Sequence, residues 1–365
     1  TVVTGNCGIS LAPVTFEGEP PAPMNLLGSQ RAYEFPHFTD YARALAETVP
    51  GVNVAALIGH SALRLATMSD IRVKASAAEV DAMLAHADEA MQNGAAGFST
   101  GLFYPTNAAA DIEEVSTVAA RFAAHGGIYA THMRSEMEPV LDSIAETLET
   151  AGRARIPVVI SHHKCAGPRN WGRTRETLPA IEAGARRQKV RLDAYPYNAG
   201  STNLRADLVT DEYRIMITWS RPHPEATGRD LSDVAAEWGV DLAEAARRLD
   251  PAGAIYFQMD EEDVRRVLAF PLTMIGSDGL PHDDHPHPRS GVYAVRAGPV
   301  LAENLRRFAA GGALLPYRPQ RRSLYLLATG DGRAIASWGT WSLQGGWLGR
   351  LKDRIDRSFV RRHSK

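Results

Sequence analysis

Three short polar stretches close apolar runs in this chain: Thr131-His132, Ser161-His162-His163-Lys164 and Gly276-Ser277-Asp278-Gly279. Packing has no need of them. Imidazole is a common Zn²⁺ ligand, and a catalytic zinc keeps three protein ligands and one open position. His132 and His162 are separated by about 30 residues, the length of one strand-plus-helix unit. That spacing puts two imidazoles on neighbouring strand ends at one height, within reach of one ion. Asp278 would then be the unliganded carboxylate that takes a proton from metal-activated water. His163 is expected to face away if His162 faces the ion, because neighbours on a strand project oppositely. A lone strand-end histidine is more often hydrogen-bonded structure than ligand; two of them one strand-plus-helix unit apart, with a late Gly-Ser-Asp-Gly, weigh evenly between the two. His60 is read as structural, Cys165 as a free thiol, and His282, His285 and His287 as a solvated loop.

These residues need a scaffold that brings strand ends together. Apolar runs at 52–60, 94–104, 127–133, 156–163 and 190–197 alternate with amphipathic stretches. The clearest helix starts at Ser76, with Glu79 placed for a capping box, and Gly94 is set to stop it. Val80, Met83, Leu84, Ala87 and Met91 mark its apolar face. A second helix runs from Pro139, at its first turn, to Gly152, with Leu141, Ile144 and Leu148 on one side. Near-continuous apolar strands suit a parallel sheet covered on both faces. Eight strand-helix units need about 250 residues, and their C-terminal strand ends form the active-site mouth. No Gly-rich phosphate loop is present, so a (β/α)₈ barrel is favoured over an open doubly wound sheet. Helix-like residues 231–249 and the turn Arg221-Pro222-His223-Pro224 mark an insertion around 205–265, before the strand at 272–278.

The 365 residues carry 40 Lys plus Arg against 42 Asp plus Glu, a formal charge of -2. No global basic field points to nucleic acid or to an anionic membrane. Two cysteines exclude a disulfide scaffold and fit a reducing compartment. No apolar run approaches the roughly 18–20 residues needed to span a bilayer. The opening TVVTGNCGIS lacks the pattern of a signal peptide. The expectation is a soluble, cytoplasmic protein. The charge is nonetheless split: from Ser290 onward there are 14 basic and 4 acidic residues, a net of +10, which leaves -12 for residues 1–289. Trp338, Trp341 and Trp347 also lie in that last stretch.

Several motifs occur in order over residues 1–289: Asn6-Cys7-Gly8-Ile9-Ser10-Leu11-Ala12-Pro13, Thr131-His132-Met133-Arg134, Ser161-His162-His163-Lys164-Cys165, Leu192-Asp193-Ala194-Tyr195-Pro196-Tyr197 and Gly276-Ser277-Asp278-Gly279-Leu280-Pro281-His282-Asp283. This series resembles the N-acyl-D-amino-acid deacylase (D-aminoacylase) family of the amidohydrolase superfamily. The resemblance implies a (β/α)₈ barrel with a small accessory β-domain, and a zinc ion held by Cys7, His132 and His162 with Asp278 as general acid/base. It implies that Lys164 and Arg289 hold the substrate carboxylate, completed by Tyr195 and Ser201, while Tyr104 polarises the scissile carbonyl. Read from the residues alone, the two tyrosines are ordinary barrel packing. The implied reaction is hydrolysis of an N-acyl-D-amino acid to a carboxylate and a free D-amino acid, with a small-molecule substrate and no nucleic-acid or membrane partner. Two alternatives stay open: an amidohydrolase for another N-acyl or cyclic amide, such as an acidic N-acyl-D-amino acid or a hydantoin-like ring, and a catalytically silent zinc-binding barrel fragment.

Two departures from the family pattern shape the expected organisation. Family members carry an upstream His-x-His that serves a weaker second metal site, and none precedes Cys7. The expectation is therefore an incomplete barrel spanning 1–289, one tight zinc site, and an accessory β-domain largely missing. The pattern also ends after Arg289. Residues 290–365 read as a basic, Trp-rich, atypical tail, expected to be an out-of-frame translation: bases encoding Gly346-Trp347-Leu348-Gly349-Arg350-Leu351 can, shifted by one, read Gly-Gly-Trp-Ala-Asp-Leu.

Overall fold

Valine, isoleucine and small residues dominate the apolar runs, and such residues fill strands buried on both faces. The computed structural model describes residues 2–48, 53–276, 278–279, 324–328, 333–338 and 341–363. In it the runs become Val54–Gly59, Gly97–Gly101, Ile128–His132, Val158–Ile160, Val190–Ala194 and Thr273–Ile275. A further strand, Val2–Thr4, pairs with Val54–Gly59. All seven lie parallel, in chain order, as one curled sheet that forms a half-barrel.

Parallel neighbours require a crossover, and helices supply it. The chief ones are Ala77–Gln92, Ile112–Ala124, Val140–Ala154, Thr174–Ala185 and Glu261–Ala269. Ser76 caps the first of them through the capping box with Glu79, whose carboxylate accepts from Ser76 N at 2.8 Å. Pro139 stands at the N-cap of Val140–Ala154 rather than inside its first turn. Phe98 on a strand stacks on Phe122 and Tyr129, with ring centroids 5.2 and 5.8 Å apart, and locks the sheet to its helix layer.

Between Ala194 and Thr273 the chain leaves the sheet. Gly200–Asn203, Ile215–Ser220 and Ala252–Tyr256 make a separate antiparallel sheet, order second–third–first. The helical stretch at 231–249 is two helices, Leu231–Trp238 and Leu242–Leu249, because Gly239 takes a left-handed φ of 65° between them. Leu204, Ile217, Leu231, Val234 and Leu249 give this excursion its own core.

Residues Thr1–Leu280 form one compact unit and Pro281–Lys365 another. In the second, Leu324–Ala328, Ala334–Trp338 and Trp341–Gly345 form an antiparallel meander followed by the helix Gly346–His363. Ala334, Ala336 and Leu348 are its buried cluster, while Trp341 and Trp347 are exposed. Among the described residues no helix is long and apolar enough to cross a membrane.

Candidate metal centre

Cys7 sits on a turn that its neighbours leave room for. After Val2–Thr4 the chain folds through Gly5-Asn6-Cys7-Gly8 onto the ends of the next two strands. Ser61 N donates to Gly8 O at 2.9 Å, and Gly8 N donates to Ser99 Oγ at 3.1 Å. A Cβ on Gly101 would fall far inside van der Waals contact of the Cys7 carbonyl, and one on Gly59 would collide with Gly8 O. Both strands end in glycine at the place where the cysteine turn needs the space.

His132 ends its strand, and Thr131 pairs with Ile160 on the next. His162 lies one step beyond that level, in a turn, because the strand Val158–Ile160 stops before it. Its φ of 39° aims the ring inward. Asp193 on the following strand holds the turn: Oδ1 accepts from His162 N at 2.7 Å, and the Asp193 carbonyl accepts from His163 N at 2.8 Å. The left-handed turn, not strand alternation, therefore separates the two histidines. His163 faces outward, its Nε2 2.8 Å from Thr177 Oγ1 on a covering helix.

Among the described residues, the non-glycine positions with left-handed φ are Cys7, Arg155, His162 and Asp278. Such backbone costs about 1–3 kcal/mol and persists only where the surroundings impose it. Three of the four belong to the candidate set.

One ligand atom from each of Cys7, His132 and His162 lies within 4.8 Å of the other two, and all three side chains are buried. Cys7 Sγ is 3.3 Å from His162 Nε2. The imidazoles meet edge to face with centroids 4.5 Å apart, and Phe103 stacks on His132 at 5.2 Å. Burial pushes the Cys7 thiol up and the His132 imidazole well below its usual range. Burial also disfavours a charged His162, as does Lys164, yet Cys7, Glu136 and Asp278 together raise it well above the ordinary value. His132 Nδ1 is buried with no hydrogen-bond partner among the described residues. A buried thiol, two imidazoles and an orphaned ring nitrogen are a donor set that fits zinc.

The other candidates fall around this cluster unevenly. Tyr104 is buried, its ring 5.1 Å from that of His132. Tyr195 is buried 6.4 Å from the His162 ring, with Lys164 Nζ 5.6 Å from its centroid. Asp278 is exposed, and its charge acts on Cys7, His162, Tyr104 and Tyr195. Ser201 is exposed, whereas its neighbour Thr202 points its hydroxyl to within 3.5 Å of the Tyr104 oxygen. Arg289, His282, His285 and His287 lie outside the described residues. His60 is fully buried, with Nε2 3.1 Å from Glu114. Cys165 is a free, buried thiol.

Glu136 was not anticipated. It follows His132 by four residues, and its buried carboxylate reaches Lys164 Nζ at 2.7 Å, His162 Nδ1 at 3.0 Å and His132 Nε2 at 3.8 Å. An acidic residue just past a strand-end histidine, at the end of the barrel where sites form, was the available signal. His37, His86 and Glu89 form a second group of potential ligands. There the carboxylate already caps the helix Phe38–Thr48, accepting from Phe38 N at 3.1 Å and Thr39 N at 2.9 Å.

A parallel α/β half-barrel with a Cys-His-His cluster at its strand ends is the architecture that comparison with known proteins matches to amidohydrolases. No family model matches the chain. A D-aminoacylase from Alcaligenes xylosoxydans xylosoxydans is 55% identical over 289 residues, covering 79% of this chain and 60% of that protein. An N-acyl-D-glutamate deacylase from the same organism is 47% identical over 347 residues, covering 93% of this chain and 69% of the relative. A D-aminoacylase crystal structure described as defining a novel subset of amidohydrolases superposes with a TM-score of 0.75 at 53% identity, covering 78% of this chain and 60% of the other. An N-acyl-D-glutamate deacylase from Bordetella bronchiseptica, solved with zinc and a phosphonate mimic of the tetrahedral intermediate, gives 0.73 at 44% identity over the same shares. The chain belongs to the N-acyl-D-amino-acid deacylase (D-aminoacylase) family. It spans about three-fifths of the length of the D-aminoacylase it matches.

Proposed function

We propose that this chain carries the catalytic machinery of a zinc-dependent hydrolase that cleaves the amide bond of N-acyl-D-amino acids, releasing a carboxylate and a free D-amino acid. The observation that carries the reading is the convergence of Cys7, His132 and His162, two of them held in left-handed backbone, at one end of the sheet. These three residues would hold one tightly bound zinc. Zinc held there would supply Lewis acidity toward the acyl carbonyl and toward water near neutral pH.

The chain's own groups do the rest. Asp278 takes the proton of the attacking water and delivers it to the departing amine nitrogen, so that the C–N bond breaks as the new C–O bond is kept. Burial, reinforced by the charge on Cys7, raises the Tyr104 phenol well above its ordinary value. It therefore stays protonated and can donate to the developing oxyanion, where a fixed donor counts most. Lys164, Tyr195, Ser201 and Arg289 receive the substrate carboxylate. Arginine suits that task because its planar fork makes two parallel hydrogen bonds. The names of the relatives support an N-acyl-D-amino acid as substrate, and two of them name an acidic one. A reducing, cytoplasmic setting accords with two free cysteines.

The test is amine release from N-acetyl-D-methionine, N-acetyl-L-methionine and N-acetyl-D-glutamate, with zinc added and with chelator. Turnover of a D-substrate that chelator abolishes is the expected result. Equal rates on both enantiomers, or rates indifferent to chelator, would overturn the reading.

A further inference from the structure

Glu136 has no part in the reaction as described, yet its buried carboxylate contacts two residues of the candidate site. Its Oε1 lies 2.7 Å from Lys164 Nζ and 3.0 Å from His162 Nδ1, and Lys164 Nζ is itself 2.8 Å from that same ring nitrogen. The backbone reinforces the arrangement, since Ala166 N donates to the Glu136 carbonyl at 2.7 Å. All three side chains are buried. The opposite nitrogen of the ring, His162 Nε2, faces Cys7 Sγ at 3.3 Å.

An imidazole that binds a metal through Nε2 must carry its proton on Nδ1, and that proton needs an acceptor. Lys164 cannot serve, because an ammonium has only donors. If Lys164 donates to Nδ1, the imidazole proton moves to Nε2 and points at Cys7, closing the ring to a metal. Among the described residues, Glu136 Oε1 is the acceptor within hydrogen-bond distance of both N–H groups. Because it draws Lys164 onto itself, Nδ1 is freed to donate as well.

We infer that Glu136 is a positioning residue that fixes His162 as the Nδ1–H tautomer, so that Nε2 is presented to the metal, and at the same time parks Lys164 at the edge of the substrate site. This rests on the reading of Cys7, His132 and His162 as zinc ligands. It adds a link between the two halves of the site: the carboxylate that orients a metal ligand also holds the cation meant for the substrate carboxylate. Lys164 must loosen from Glu136 to meet a substrate. Occupancy of the metal and binding of the substrate are thereby coupled through one side chain.

The experiment measures zinc affinity by competition with a fluorescent chelator on the full chain, for the parent, Glu136→Gln, Glu136→Asp and the double variant Glu136→Gln/Lys164→Met. Loss of an outer carboxylate of this type weakens metal binding by about 10–100-fold. Glu136→Gln should fall in that range, with Glu136→Asp recovering part of the loss. The double variant should stay weak. Recovery of parent affinity in the double variant would mean that Glu136 serves only to neutralise Lys164, and would overturn the proposal. Affinity within twofold of the parent in a folded Glu136→Gln chain would overturn it too. Long-range ¹H–¹⁵N NMR of the zinc-loaded parent gives a readout that needs no variant. A His162 ring protonated at Nδ1 is expected, and one protonated at Nε2 would sink the idea. A parent that binds no zinc would instead bring down the metal centre itself, with the proposal resting on it.

Discussion

Cys7 and His162 are 155 residues apart in the chain, yet Sγ and Nε2 stand 3.3 Å from each other in a buried pocket. Two independent pieces of backbone work bring them there. Glycine-lined space at Gly59 and Gly101 receives the cysteine turn, and Asp193 clamps the turn that carries His162. Left-handed backbone of this kind persists only where the surroundings impose it, and on the proposed reading a shared zinc would sit between the two side chains.

Cys7→Ala should therefore abolish tight zinc binding while leaving the fold in place. The side chain contributes little apolar area, and burial already disfavours its thiolate in the metal-free chain. Bound zinc after dialysis, measured by atomic absorption, checks this. Retention of one equivalent by Cys7→Ala would remove Cys7 from the centre.

Gly101→Ala tests the support rather than the ligand. The new methyl would press on the Cys7 carbonyl and, less severely, on the Tyr104 ring. Overpacking of this kind costs about 1–3 kcal/mol. Displacement of the cysteine turn should also lower zinc affinity, which simple destabilisation would not do. Denaturant titration and chelator competition on the same sample separate the two effects.

Much of this arrangement was legible beforehand, and the limits are physical. Strand runs such as Ile128–His132 and Val190–Ala194 were readable because buried parallel strands are nearly continuous in apolar residues. Ser76 with Glu79 announced a helix start because the capping box is a local device. Val2–Thr4 was not read as a strand, since three residues give no period. The break at Gly239 was hidden inside a continuous amphipathic pattern. His132 and His162 were singled out by their spacing, and the fold brings their rings together, but the reason for His162's direction was not readable, because a left-handed turn leaves no mark on the sequence. Glu136 was missed for a similar cause. Its partner Lys164 is 28 residues away, and only the folded chain shows that they meet.

Asp278→Asn should keep zinc and lose hydrolysis. The side chain stays isosteric and exposed, so neither packing nor the Cys7–His132–His162 cluster is disturbed. What disappears is the capacity to accept a proton, and general acid–base catalysis contributes about 10²–10⁴-fold. The loss should appear in kcat far more than in KM. Parent-like turnover in a zinc-loaded Asp278→Asn chain would remove it from the mechanism.

Acid stability should be governed by the buried trio His60, Arg64 and Glu114. Glu114 accepts from Arg64, which also donates to the carbonyls of Ile71 and Val73 at 2.9 and 2.6 Å, and Glu114 Oε1 lies 3.1 Å from His60 Nε2. Burial works against the Glu114 carboxylate, but His60 and Arg64 outweigh it and hold its pKa down at about 2. Burial lowers the His60 imidazole below its usual range despite Glu114. In both cases the unfolded chain binds more protons than the folded one as pH falls, so folding stability declines with acidification. The His60 contribution goes first, as pH drops below about 6.5. The Glu114 contribution follows between about pH 4.3 and the folded value near 2. Glu114→Gln should flatten the lower of these two declines, and Arg64→Met, which removes the carboxylate's cation and leaves it His60 and the Ala75 N–H, should cost about 3–5 kcal/mol at neutral pH. Urea midpoints measured from pH 7 to pH 3 decide it: an unchanged pH profile in Glu114→Gln would place the acid-labile groups elsewhere.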